Sequence, residues 1–393
     1  MAGPSIKEFV YTAGAQKRMP VSGTFELTPR CNLDCRMCYI RMTEAEQASL
    51  GRELTTEEWL TVGRQAVDAG MIYLLLTGGE PMLRSDFTTI YSEMVKMGVM
   101  VSVNTNGTRI TPEVLECFRK HPPEAVNVTL YGASPETYGG LCGVSGGYQR
   151  AFAGVRALVS AGIRVIINTT FTALNQGDME ALAAFAKEVG VPIRTAAYTF
   201  PPVRNRHEDS RVALTPEEQG RLNARFEYLT NTAERRALRA ALLRRILEEE
   251  AARVPSPLAK RGRPTACMAG RGMFWLAWNG DMYPCGMLSD HAVALDRESI
   301  DFAAMWEATH KRTETVFLPA ACAECALRRV CPSCAAVTYS SHGDTAMLAE
   351  DMCVYTKTYI SAFLELAEAE GNTAPADTDT AVRGDDVEPF VCL

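Results

Sequence analysis

The sequence holds no uncharged apolar run of about 18 residues, the least a membrane-spanning helix needs, so no membrane partner is expected. Its first residues, Met1–Pro20, contain no continuous apolar stretch, which excludes a secretory signal of the usual kind. A basic excess is also missing. Forty lysines and arginines stand against 47 aspartates and glutamates, a net charge of −7. General nucleic-acid binding needs a basic footprint and is not expected. The C-terminus lacks a prenylation signal, because Cys392 is next to last rather than fourth from the end. No internal repeat is visible. These absences together point to a cytoplasmic protein.

What is present is apolar material and cysteine. The 393 residues are 47% hydrophobic, enough for a large domain with a smaller one behind it. Thirteen cysteines in a chain without a secretory signal are more readily metal ligands than disulfides, since a reducing compartment keeps thiols free.

From Thr24 to about Phe200, short apolar strands alternate with amphipathic helices. The strand-like runs are Thr24–Thr28, Ile72–Thr77, Val99–Asn104, Ala125–Tyr131, Ile163–Thr170 and Pro192–Thr199. Helical stretches lie near Thr55–Ala69, Asp86–Met97, Pro112–Lys120, Tyr148–Ala161 and Asp178–Val189. Thr55 with Glu58, and Thr111 before Pro112, read as helix starts. Gly70, Gly98, Gly162 and Gly190 read as helix ends. Six strands separated by helices predict a parallel α/β sheet, open or closed part-way into a barrel, with its chemistry at the C-terminal strand ends.

Five segments follow from this: an extension over 1–23, the strand–helix body over 24–203, a charged helical connector over 204–265, a cysteine-rich domain over 266–360, and the end of a last helix with an acidic tail over 361–393. Between Arg221 and Arg263 there are 11 basic and 5 acidic residues. That stretch reads as a solvated helical surface or as a docking face for an acidic partner. Pro255, Pro257, Gly262 and Pro264 mark a linker, and the tail after Gly371 is expected to be disordered.

Directly after the first strand comes Cys31-Asn-Leu-Asp-Cys35-Arg-Met-Cys38. Three thiolates in eight residues suit one iron–sulfur cubane with an iron left open, as a catalytic metal site keeps an open position. Zinc is the alternative, but three cysteines without a nearby histidine make a poor closed zinc site. The second strand ends in Thr77-Gly78-Gly79-Glu80-Pro81, where two glycines allow close backbone approach and a carboxylate can meet an ammonium.

This Cys-x3-Cys-x2-Cys motif, followed one βα unit later by GGEP, resembles the radical S-adenosylmethionine (SAM) superfamily. The resemblance implies a partial (β/α)6 TIM-like barrel. It further implies a [4Fe-4S] cluster on Cys31, Cys35 and Cys38, and SAM held by Gly78, Gly79, Glu80 and Pro81. Other implied SAM contacts are Met37 and Tyr39 beside the third cysteine, Asn104, Thr129 and Asn168. For the last three, plain strand-end hydrogen bonding is an equal reading. Tyr131 stands where relatives carry aspartate, and Leu141 where some carry arginine.

Further on come Cys267, then Gly280-x4-Cys285, then Cys322-x2-Cys325-x5-Cys331-x2-Cys334, and last Cys353. This set resembles the SPASM domain found behind radical SAM cores, although Cys331 and Cys334 are one residue closer than usual. The resemblance implies two auxiliary [4Fe-4S] clusters. Cys322, Cys325, Cys331 and Cys353 would hold the outer one, and Cys267, Cys285 and Cys334 the inner one. A zinc ribbon is the alternative, since two C-x2-C pairs also suit zinc. Cys117 reads as core packing, Cys392 as a free thiol in the tail, and Cys142 as part of a glycine-rich loop, Gly139 to Gly147, near the active edge.

SPASM relatives act mostly on peptides, so the leading expectation is a maturase that crosslinks a ribosomal peptide carrying a leader. In sulfatase-maturating relatives an aspartate follows the G-x4-C cysteine, and Gly286 here argues against that activity. Only about two dozen residues precede the first strand, so a separate leader-recognition protein is expected, along with flavodoxin or ferredoxin as reductant. The alternatives are a SPASM enzyme acting on a small molecule in cofactor or haem biosynthesis, and a non-enzymatic iron–sulfur electron carrier or sensor. No acid or base stands out as catalytic.

Overall fold

The structure is a computed structural model and describes residues 6–40, 42–196, 212–254 and 267–371. The proline-marked linker, the polar tail with Cys392 and the end of the sixth strand-like run lie outside the described residues.

The chain opens with α1 (Ile6–Lys17) and β1 (Ser22–Glu26), then α2 (Glu44–Leu50) and α3 (Thr56–Asp68). Next come β2 (Tyr73–Thr77), α4 (Phe87–Lys96), β3 (Met100–Thr105), α5 (Pro112–Lys120) and β4 (Ala125–Thr129). Helices α6 (Pro135–Cys142) and α7 (Gly147–Ser160) lead to β5 (Val165–Thr169), α8 (Met179–Val189) and β6 (Ile193–Thr195). Beyond lie α9 (Pro216–Thr230), α10 (Ala233–Ala251), β7 (Met273–Leu276) and β8 (Met282–Tyr283). Four helices close the described chain: α11 (Phe302–Thr313), α12 (Ala320–Ala323), α13 (Ala335–His342) and α14 (Glu350–Ala369).

One sheet runs β6-β5-β4-β3-β2-β1-β7-β8, and its end strands do not pair, so the barrel is open. The six expected strands are parallel and neighbours in chain order, as short helical crossovers require. Register sorts their side chains onto two faces, because alternate residues point oppositely. Phe25, Leu76, Val103, Val128 and Ile167 share the face that packs against the helices, and all are buried in the main core. On the other face stand Thr24 and Glu26, then Ser102 and Asn104, then Asn127 and Thr129, then Asn168 and Arg194. The barrel thus turns an apolar face to its helices and a polar one inward.

Two arrangements go beyond the sequence-based expectation. Strand β7 pairs parallel with β1, and Phe274, Leu276, Met282, Phe302, Met305 and Trp306 bury in the barrel core itself. The charged stretch does form helices, but they are not merely solvated. Ala224 and Tyr228 of α9 and Leu243 and Ile246 of α10 build a second core with Tyr355, Tyr359 and Phe363 of α14. Beneath them Tyr359 receives a hydrogen bond from buried Arg239 at 3.0 Å, and Arg239 pairs with Glu227 at 3.0 Å.

The 139–147 segment also differs from the expected loop, since its first residues end helix α6. Ser134 caps that helix by accepting from Thr137 N at 3.1 Å, and Pro135 opens it. These caps offset the weak helix preference of Gly139 and Gly140. At α3 the reading of the sequence and the structure coincide: Thr55 accepts from Glu58 N while Glu58 accepts from Thr55 N at 2.7 Å. Thr55→Ala is expected to cost about 1 kcal/mol, measured by urea unfolding.

Candidate active site

The site begins where β1 and β2 run past their last paired residues. Gly79 N donates to Thr28 O at 2.7 Å and Glu80 N to Arg30 O at 2.9 Å, fastening the GGEP segment to the backbone just before Cys31. The glycines are needed because the two chains nearly touch. A Cβ on Gly78 would stand 2.5 Å from Thr28 O, and one on Gly79 would stand 2.4 Å from Arg30 O.

Glu80 is wholly buried. Its carboxylate accepts from Thr105 Oγ1 at 2.9 Å, Asn106 N at 2.8 Å and Met82 N at 3.2 Å. Burial pushes its pKa up to about 7 against the pull of these donors. The carboxylate therefore ties the GGEP segment to the end of β3 as well as offering charge to a ligand ammonium. Asn106, which sequence reasoning passed over in favour of Asn104, makes the next link. Its Nδ2 reaches Asn32 Oδ1 at 3.0 Å and the Cys31 sulfur at 3.7 Å. Asn104 instead faces inward and accepts from Asn127 Nδ2 at 2.8 Å.

The remaining expected SAM contacts divide by place. Met37 packs against the barrel core, while Tyr39 and Cys38 pack with Trp275, Trp278 and Tyr283 on the β7–β8 side. Thr129, Asn168 and Arg194 are level across three adjacent strands. Asn168 Oδ1 is buried without a protein partner, as a ligand-facing group would be. Arg194 and Glu26 were not singled out by sequence reasoning. Their signal was the inward position of a charged residue on a barrel strand. Glu26 is wholly buried and accepts from Trp275 Nε1 at 2.8 Å, so β7 extends the sheet beyond β1 and its Trp275 side chain covers Glu26.

The cysteines fall into three groups. Cys31 has Cys35 and Cys38 among its electrostatic neighbours, and burial pushes its thiol up to about 12. Cys285 has Cys334 and Cys267 as neighbours and is likewise pushed up to about 12 by burial. Cys322 has Cys331, Cys353 and Cys325, and these four sulfurs line one small cavity with Leu318 and Thr356. Thiols held protonated by burial bind iron as thiolates only by releasing protons. Among the described residues no three cysteine, histidine or carboxylate groups converge closely enough for a single ion. A zinc ion would draw its sulfurs to about 2.3 Å from one point. Groups of three and four thiols have the donor chemistry that an iron–sulfur cluster takes. Cys117 sits half-buried beside the core.

The fold and these strand-end contacts define an α/β partial barrel with a three-thiol loop at the C-terminal edge of its first strand. Residues 25–186 match the sequence model described as the Radical SAM superfamily. An AdoMet-dependent heme synthase of Methanosarcina barkeri is 28% identical over 341 residues, which is 84% of this chain and 95% of that protein. A PqqA peptide cyclase of Rhizobium meliloti is 30% identical over 169 residues, 42% of this chain and 44% of that one. Among solved structures, Streptococcus suis SuiB bound to the precursor peptide SuiA has a TM-score of 0.63. It is 17% identical, covering 88% of this chain and 80% of its own, and so shares the fold. Among the described residues no helix is long and apolar enough to cross a membrane.

Proposed function

We propose that this chain is a radical SAM/SPASM enzyme that abstracts hydrogen from a peptide substrate and forms a crosslink in it. One observation carries the radical SAM reading. The GGEP segment is hydrogen-bonded backbone to backbone onto the approach to Cys31, which sets ligand-binding backbone and metal loop at one strand edge above a polar inner face. When bound at Cys31, Cys35 and Cys38, a [4Fe-4S] cluster supplies the electron that cleaves SAM reductively to methionine and a 5′-deoxyadenosyl radical. The chain's residues do the rest. Gly78, Gly79 and Glu80 present backbone and charge to an amino-acid end, while Thr129, Asn168 and Arg194 offer polar contacts further round. Trp275 and Tyr283 wall off water beside Cys38. Two auxiliary clusters are proposed, on Cys322, Cys325, Cys331 and Cys353 and on Cys267, Cys285 and Cys334. The grouping of those thiols supports this assignment.

The peptide substrate is supported by the PqqA peptide cyclase relative and by a fold shared with a protein solved with its precursor peptide. A leader-recognition partner and a flavodoxin or ferredoxin reductant belong to the same proposal. A second reading, chemistry on a small tetrapyrrole-like molecule, is favoured by the heme synthase relative that aligns along nearly its whole length. Inward-facing Arg194 would suit the carboxylates of such a substrate.

The test is anaerobic reconstitution, iron and sulfide analysis, and addition of dithionite with SAM. About twelve irons per chain, from three cubanes, with 5′-deoxyadenosine released, is the expected result. About four irons with zinc would sink the SPASM assignment, and full iron without SAM cleavage would leave an electron carrier. Incubation with the precursor peptide of a neighbouring gene, against an iron porphyrin bearing propionates, then separates the two substrate readings by mass spectrometry.

A further inference from the structure

Helix α6 supports the metal loop from behind, and it does so around one cysteine. Asp34 N donates to the carbonyl of Cys142 at 2.8 Å, and Arg36 N donates to the carbonyl of Leu141 at 3.0 Å. These two bonds bracket Cys35, so the backbone itself presents the Cys35 side chain to the last turn of α6. There the Cys142 side chain is the foremost electrostatic neighbour of the Cys35 sulfur. Cys142 is wholly buried, and the approach is tight: a Cβ on Gly143, which sits at φ +69°, would stand 2.9 Å from Asp34 Cβ.

A second group points the same way. Tyr138 lies one helical turn before Cys142, on the same face of α6. It is wholly buried, and its hydroxyl has no hydrogen-bond partner. Its electrostatic neighbours are Cys142, Cys35, Cys31 and Glu80. Buried hydroxyls are nearly always satisfied, so an unpaired one beside these sulfurs marks a place where a ligand brings an acceptor.

The geometry points to Cys142 as a positioning residue whose S–H donates to the Cys35 sulfur when that sulfur ligates the SAM-cleaving cluster, raising the cluster's reduction potential. The inference rests on the proposed reading of Cys31, Cys35 and Cys38 as cluster ligands. Reduction adds negative charge to the cluster and its thiolates. A donor aimed at one of those sulfurs stabilises the reduced form more than the oxidised form. Cys142 is fixed by α6 and by two backbone bonds rather than by the cluster, so the donor is in place before iron arrives. No chemistry occurs at Cys142 itself.

The experiment uses the full chain, reconstituted anaerobically, as wild type, Cys142→Ala and Cys142→Ser. Iron content is measured first. The potential is then read from a redox titration of the electron paramagnetic resonance signal that changes on adding SAM, which singles out this cluster from the auxiliary ones. Cys142→Ala is expected to load normally. At the wild-type midpoint its oxidised-to-reduced ratio should rise about tenfold, equivalent to about 59 mV for one electron. Cys142→Ser keeps an O–H donor in place and should titrate at or above the wild-type potential. An unmoved potential in Cys142→Ala overturns the inference, as does a fall in Cys142→Ser as large as that in the alanine variant, which would report packing. If the alanine variant does not take up iron, the serine variant decides: a potential below wild type overturns the inference. A wild-type protein with no SAM-responsive signal overturns the ligand reading together with it, whereas a responsive but unmoved signal overturns this inference alone.

Discussion

Replacing Cys31, Cys35 or Cys38 singly by alanine is expected to abolish 5′-deoxyadenosine formation while about eight of about twelve irons per chain remain. The reason is coordination number. A cubane held by three thiolates keeps one iron for SAM, and removing one of the three leaves a second iron without a protein ligand. The three thiols stand in one short loop fastened to GGEP, and the seven cysteines from Cys267 to Cys353 group elsewhere. The defect should therefore be local: iron falls by about a third, the fold persists, and SAM cleavage disappears. Iron analysis beside circular dichroism checks this. Loss of all iron in one of these variants would show that the three groups are not independent sites.

Gly79→Ala is expected to have nearly as large an effect from a single methyl group. The new Cβ would meet Arg30 O at 2.4 Å and Pro29 O at 2.7 Å, and both are backbone atoms that cannot rotate away. Relief requires β2 and the Cys31 approach to part, which breaks the bonds from Gly79 N and Glu80 N. Overpacking of this kind costs about 1–3 kcal/mol. On the proposed function the functional cost should be greater, because the same bonds hold the GGEP segment against the approach to Cys31. SAM binding is expected to weaken at least about tenfold, since each 1.4 kcal/mol is a factor of ten. Gly139→Ala is the control. It has no heavy atom within 4 Å of a new Cβ, lies in α6, and should be neutral or stabilising by up to about 1 kcal/mol. Equilibrium dialysis with SAM and thermal melting of both variants measure the difference. Equal behaviour of the two would show that the close approach at Gly79 does not matter.

Much of the barrel was legible from local pattern alone. Each strand of the half-barrel is a short apolar run, and each crossover helix carries its own start and stop. Thr55 with Glu58 and Thr111 before Pro112 both cap helices as the sequence predicts. The boundaries moved by one or two residues where a strand's last residues leave the ladder, as Leu130 and Tyr131 do after β4. Helix α6 was missed because its glycines read as a loop, while the Ser134 cap and Pro135 that start it were not considered. Helix α1 was missed because the stretch was read only for its lack of apolar continuity, yet Tyr11 there stacks on Tyr73 at 5.3 Å.

At the site, the sequence by itself determined the chemistry available: ten cysteines in two spaced sets, and a GGEP segment one βα unit after the first of them. Spacing within a loop is a local property, and a short loop between a strand and a helix has few ways to fold. Only the tertiary structure decided which of these groups meet. It set Asn106 rather than Asn104 against the cysteine loop, buried Glu80 under Thr105, and brought Arg194 level with Asn168. It also paired β7 with β1, so that Trp275 reaches Glu26 across a sequence separation of 249 residues. And it placed Cys142 behind Cys35. Contacts of this kind depend on strand register and on the angle at which a helix returns to the sheet. The whole core sets these together, and no short stretch of residues carries their imprint.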